Sequence, residues 1–114
     1  MADPRHQLGR AGELQACQYL KGRGWQCLGT NVRTPYGEVD LLFQDGETLV
    51  AIEVKTRRNV GGEVVKVQQL QRIGRALGFL ALQRRHPGQL RIDLVIVSEH
   101  NCQCHHDVGS SLAA

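Results

Sequence analysis

No run of about 18 consecutive apolar residues occurs in this 114-residue chain, so the sequence offers no transmembrane helix. The first ten residues, MADPRHQLGR, lack the apolar centre of a secretory signal, and the expectation is a cytoplasmic protein with no membrane partner. Without a secretory context, Cys17, Cys27, Cys102 and Cys104 are not expected to build a disulfide framework. Cys17 and Cys27 fall at apolar positions and read as small buried hydrophobes. There is no internal repeat, low-complexity segment or linker, and the chain is too short for two cores, so one domain is expected. Neither sign of charge dominates: 14 Lys+Arg against 11 Asp+Glu leave +3, a balance common among proteins with no nucleic-acid partner. The Gly61-Gly62-Glu63 stretch has no Walker pattern, so nucleotide binding is unsupported.

What is present is an ordinary globular balance, 41% hydrophobic and 22% charged, enough for a core of modest size. Asp3-Pro4 reads as a cap followed by a first-turn proline. The helical pattern after it runs to about Lys21 and is stopped by Gly22-Arg23-Gly24. Ala16, Cys17 and Leu20 share one face of that helix, and Glu13 joins the same stripe at its edge. Trp25 to Val32 reads as a strand, residues 34–37 as a turn, 36–58 as a hairpin, and 59–64 as a glycine-containing loop. A second helix fits Lys66 to Arg85, with Val67, Leu70, Gly74, Leu77 and Ala81 on one face and Phe79 and Leu82 off it. Residues 90–98 form a further apolar strand. The expected fold is therefore α/β: a single small domain with a mixed central sheet flanked by helices, in the order α-β-β-β-α-β over residues 1–98. A polar tail follows over 99–114, with or without a short last strand.

The hairpin carries the chemistry. Strands that build a core seldom hold three acids and a lysine, yet Glu38, Asp40, Glu53 and Lys55 are set into these two. With Asp45-Gly46 as a two-residue turn, Glu38 pairs with Glu53 and Asp40 with Ala51. The period of two then brings all four charges to one face, with Leu42, Leu49 and Ala51. Val39, Leu41, Phe43, Val50, Ile52 and Val54 fill the other. Opposed like charges destabilise a strand pair, so Glu38 against Glu53, with Asp40 diagonal at about 7 Å, needs an offsetting cation. Lys55 supplies one charge and a divalent ion two. Asp40 and Glu53 are the natural ligand pair for Mg²⁺, which is held through one or two carboxylates and often meets substrate phosphate. Glu13 can reach the same site from the first helix. The plainer alternative is a solvent-facing hairpin with a Glu–Lys pair. It fits any one of these residues better than it fits the set, because a helix over the mixed face would make unpaired charge costly.

An acid on the first helix, then Asp, then Glu-x-Lys resembles the PD-(D/E)XK nuclease superfamily. GELQACQYL, GEVDLL, IEVKTRR and LRIDLVIV resemble, more closely, the YraN-like family of small bacterial proteins, related to archaeal Holliday junction resolvases. The resemblance spans about residues 7–98, and Val39 stands where the literal motif has proline. It implies a restriction-endonuclease-like fold and a metal-dependent endonuclease acting on DNA, branched or structured DNA included. It also implies a Mg²⁺ cofactor, for which Mn²⁺ substitutes, and a homodimer. By the same resemblance Asp40 and Glu53 hold the metal, Glu13 completes the site, and the Val54 carbonyl is a further ligand. Lys55 positions the attacking water and stabilises charge on the phosphate. Glu38, Gln69 and Lys66 are the auxiliary candidates, Glu38 matching the motif without a firm role beyond orienting a metal-bound water. Arg57, Arg58, Arg72 and Arg75 are candidates for contact with nucleic acid, although charge alone reads equally as a solvated surface. A nuclease fold that binds nucleic acid without cutting it, and a partner-binding domain whose acids form only salt bridges, remain the alternatives.

Asp93, inside the fourth strand, also matches a family position and reads as a buried hydrogen-bonding residue. His100, Cys102, Cys104, His105 and His106 are zinc-competent side chains. Their C-x-C spacing is not that of a zinc finger, and no second ligand pair stands elsewhere at finger spacing. The tail is read as exposed or as an edge strand.

Overall fold

A five-stranded sheet with one helix on each face carries the chain. The structure, a computed structural model, describes residues 4–56, 66–99 and 101–109. Helix α1 spans Pro4–Gly22, followed by β1 (Gln26–Thr34), β2 (Gly37–Asp45), β3 (Thr48–Thr56), α2 (Val67–Gln83), β4 (Leu90–Ser98) and β5 (Asn101–His105). Strand order follows the chain, β1-β2-β3-β4-β5. The β3–β4 pair is parallel and the other three are antiparallel. That single parallel pair follows from α2, because a helical crossover is what returns a strand in the same direction. The expected mixed α/β fold is present, with β5 added at the edge by the polar segment after residue 98. The Asp3 cap, Arg57 and Arg58, and the glycine loop lie outside the described residues.

Alternation along the strands sorts the core into two layers. Leu41, Phe43, Val50, Ile52, Val95 and Val97 pack on α1 through Ala16, Cys17 and Leu20. Leu42, Leu49, Ala51, Ile92 and Leu94 pack on α2 through Leu70, Ile73, Ala76, Leu77 and Leu80. Full burial of each large side chain contributes roughly 1.5–3 kcal/mol. The buried stripe of α2 is thus rotated from the expected one. Val67 is 58% exposed, Phe79 packs against the core, and Leu82 is 82% exposed. All four cysteines are free thiols; Cys17 is buried with its Sγ 3.8 Å from that of the half-buried Cys27.

Both helices end in the same way. Gly24 adopts φ 89°, its N–H reaches the Lys21 carbonyl, and the Trp25 N–H reaches that of Leu20. This is the Schellman pattern, which wants glycine at the left-handed position. In α2 the same two bonds run from Arg85 to Leu82 and from His86 to Ala81, but the left-handed residue is Arg85 at φ 52°. An L side chain there costs roughly 1–2 kcal/mol, part of which glycine's larger unfolded-state entropy would cancel. Arg85→Gly should therefore stabilise the fold by about 0.5–1 kcal/mol. Chemical denaturation checks this, and a loss of stability would show that the Arg85 side chain matters more than its backbone.

Candidate active site

The hairpin register differs from the expected one by two residues. Asp45 pairs with Thr48, and Leu41 with Ile52. Gly46 and Glu47 make the turn, with Gly46 at φ 59° in the first central position, where type II′ turns require glycine. A shift of two leaves alternation intact along the paired stretch, so Leu42 and Ala51 still share one side and Asp40 and Glu53 still meet just beyond it, but Glu38 does not oppose Glu53. Glu38 is exposed and instead pairs with Arg33 of β1 at 3.5 Å.

The β2–β3 ladder ends at Leu41–Ile52, whereas β2 stays paired with β1 to Gly37. Opposite Asp40 in that ribbon stands Asn31, at φ 49°. A left-handed residue bends the ribbon away from β3. It also explains why Val39, expected with Leu41, packs in the α2 layer. The strands part where the acids lie. Asp40 Oδ2 fills the gap by accepting the Val54 N–H at 2.9 Å, a bond that a β2 carbonyl would otherwise take. A strand residue's N–H and C=O point the same way, so the Val54 carbonyl is turned toward the same gap.

Glu53 is 7% exposed and stands beside Asp40. Gln69 of α2 donates to Glu53 Oε1 at 2.6 Å, and Lys55 Nζ lies 3.6 Å from the same oxygen. Burial, and then the charge of Asp40, push the Glu53 carboxyl up to about 7, against the pull of Lys55 and Arg72. Burial also raises Asp40, opposed by its bond to Val54 and by Lys55. The two acids share a cramped site in which both are not readily ionised together. Glu13 is raised by burial, lowered by a hydrogen bond with Asn31, and raised again by Asp40 and Glu38, which places it within their electrostatic reach. Helix α1 comes this close to β3 because residue 12 is glycine: a Cβ there would meet Thr56 Oγ1 at 2.5 Å.

Among the residues singled out from the sequence, Asp40, Glu53, Lys55, Gln69 and the Val54 backbone meet, with Glu13 at the edge. Lys66 does not join them. It stands exposed at the start of α2 and makes no side-chain cap. Arg75 is exposed on α2. Arg72, a candidate for nucleic-acid contact, is partly exposed and reaches back to the start of β2. Its Nη1 donates to the carbonyls of Glu38 at 3.0 Å and Tyr36 at 3.3 Å, tying α2 to the start of β2. A Cβ on Gly37 (φ 108°) would meet that nitrogen at 2.7 Å, so both space and backbone call for glycine. Asn31 is the participant sequence reasoning missed, and Arg72, named only for nucleic-acid contact, holds the start of β2 as well. The Gly37 before the Glu-x-Asp run was the one local sign that something approaches the backbone there.

With this geometry in view, the chain can be set beside known proteins. The profile of the uncharacterised protein family UPF0102 matches residues 12–97. The chain belongs to that family. It is the YraN-like group that its motifs resemble, and the matched span holds every site residue named above. The UPF0102 protein of Halorhodospira halophila is 41% identical over 102 residues, covering 86% of this chain and 82% of the relative. That of Beutenbergia cavernae is 41% identical over 95 residues, covering 79% and 80%. A shorter match, to the Dehalococcoides mccartyi member, is 51% identical over 61 residues and covers 54% of this chain and 50% of that protein. No helix among the described residues is long and apolar enough to cross a membrane.

Proposed function

We propose that this UPF0102 chain is a divalent-metal-dependent phosphodiesterase that cuts nucleic acid, DNA in the first instance, with branched or structured DNA as the substrates to try first. The observation that carries the proposal is the Asp40–Glu53 pair. Two acids crowd one partly buried gap, and among the described residues the cation in direct contact is a half-exposed lysine, so a proton is retained up to about 7. Such an arrangement costs stability, and a second positive charge relieves it. The donors are hard oxygens, which suits Mg²⁺ or Mn²⁺ rather than a softer ion.

Asp40, Glu53 and the Val54 carbonyl would hold the ion, with Glu13 at the open side. When bound, the ion would lower the pKa of its water and offset charge on the phosphate. Lys55 is placed to orient the attacking water and to neutralise charge growing on the phosphate oxygens. Gln69 fixes the Glu53 carboxylate in one rotamer, and Arg72 holds the β2 start that carries Asp40.

The test is cleavage of labelled linear duplex, flap, fork, four-way junction and single strand with Mg²⁺ or Mn²⁺. Wild type should cut at least one, and Lys55→Ala should lose on the order of 10²- to 10³-fold in rate. If the two proteins behave alike on every substrate, the catalytic proposal fails. Retarded DNA without cleavage would instead support the binding-only alternative.

A further inference from the structure

Asp93, Cys104 and His106 meet on the opposite face of the sheet, the α1 face, and each turns one ligand atom to a common point; the three atoms lie within 4.8 Å of one another. The β4–β5 register explains the meeting. Leu94 pairs with His105 and Val95 with Cys104, so the next pair outward sets His106 across from Asp93, with Cys104 on the diagonal. Cys104 and His106 are two apart along extended chain and therefore face the same way. The His106 Nδ1 lies 2.9 Å from Asp93 Oδ2 and 3.8 Å from Cys104 Sγ.

We propose that Asp93 Oδ2, Cys104 Sγ and His106 Nδ1 form a binding site for Zn²⁺, separate from the acid cluster at the end of β3. Sulfur, imidazole and carboxylate in threes are a zinc-type donor set, with a fourth position left to water. Ligand atoms at zinc's bond lengths stand about 3.3–3.8 Å apart in a tetrahedron. The Cys104–His106 separation already fits, and the His106–Asp93 separation needs to open by a few tenths of an ångström.

The surroundings are those of a supported site. Arg91 Nε and Nη2 donate to the two Asp93 oxygens at 2.9 and 3.0 Å, and the Asp107 N–H donates to Oδ1 at 2.9 Å. These bonds survive when a cation replaces the His106 contact, and they hold the carboxylate still. The His106 ring rests near Trp25, centroids 5.7 Å apart, which limits its rotation. His106 is 42% exposed, so an ion can enter from solvent.

Burial, with Asp93 nearby, pushes the Cys104 thiol up to about 11. Zinc binds the thiolate, so the Cys104 proton leaves to solvent as the Sγ–Zn bond forms. The Nδ1 lone pair is freed when neutral His106 carries its proton on Nε2. No oxidant or reductant is involved. The family profile ends at residue 97, so two of the three ligands lie outside the span that defines the family. The C-x-C spacing concealed the site because its third ligand comes from the neighbouring strand.

The experiment is titration of the metal-free full chain with Co²⁺, read by absorbance, followed by Zn²⁺ competition and thermal melts. One equivalent of Co²⁺ should bind with a thiolate-to-cobalt band, and any further Co²⁺ held by the acid cluster should add none. That band should vanish in Cys104→Ser, weaken at least tenfold in affinity in His106→Gln, and persist in Cys102→Ser and Asp40→Asn. Zn²⁺ should displace the cobalt and raise the Tm of wild type, Cys102→Ser and Asp40→Asn but not of Cys104→Ser. No thiolate band, or a band that survives Cys104→Ser, overturns the proposal. Should Cys104→Ser not fold, unchanged affinity in His106→Gln overturns it as well.

Discussion

Glu53→Gln should make the metal-free protein more stable at pH 8 while abolishing its response to Mg²⁺ or Mn²⁺. Glu53 is held up to about 7 in the folded chain, above its ordinary 4.5. Between those values the folded protein retains a proton that the unfolded chain has released. Stability therefore falls as pH rises through that window, and the full penalty is present above it. A shift of this size corresponds to on the order of 3 kcal/mol. Glutamine has no such titration, still accepts from Gln69, and can donate to Asp40. Denaturant melts in chelator at pH 8 and pH 4.5 check the sign: the gain should be present at the first and gone at the second. Added Mn²⁺ should stabilise wild type by mass action. The variant's affinity should fall by at least the roughly 10- to 100-fold that loss of an outer partner alone costs. A variant no more stable than wild type at pH 8 would remove the crowded-acid argument on which the proposed function rests.

Asp93→Ala should have the largest effect on folding, a loss of about 3–5 kcal/mol or failure to fold. The Asp93 side chain is fully buried and accepts from both Arg91 nitrogens and the Asp107 backbone, with His106 Nδ1 against its second oxygen. Removing it strands the Arg91 guanidinium, lodged over Trp25 at 5.1 Å, with only the partly exposed Asp45 at 3.0 Å. The turn after β5 also loses its anchor, because Asp107, at φ 56°, delivers its N–H to that carboxylate. Urea midpoints in chelator isolate this network from any metal contribution. A change below about 1 kcal/mol, the range of ordinary substitutions, would show the network to be dispensable.

The two α-helices, the hairpin and the β4 strand were legible because each rests on local signals. Apolar spacing of period 3.6 or 2 set their faces, and Gly24 and Gly46 marked their ends. The meeting of Asp40 and Glu53 was legible even with the turn misplaced, since a two-residue slip leaves alternation intact along the paired stretch and Asp40 just beyond it. The bend at Asn31 was not, because it depends on how β1 and β2 twist together past the end of β3. That bend converted Asp40 from a cross-strand neighbour into a ligand for the Val54 N–H. Arg72 was placed with the surface charges because helical position alone does not say whether a long side chain reaches outward or back onto a backbone carbonyl.

The sequence by itself determined which charged side chains the two hairpin strands carry, for periodicity and turn residues act over a few neighbours. Only the tertiary structure decided what those side chains meet. Gln69 comes to Glu53 from sixteen residues away, Arg72 to Glu38 from thirty-four, and His106 to Asp93 from thirteen. Such pairings follow from sheet order and helix docking, which are set by burial of the whole core and leave no mark in any local stretch of the chain.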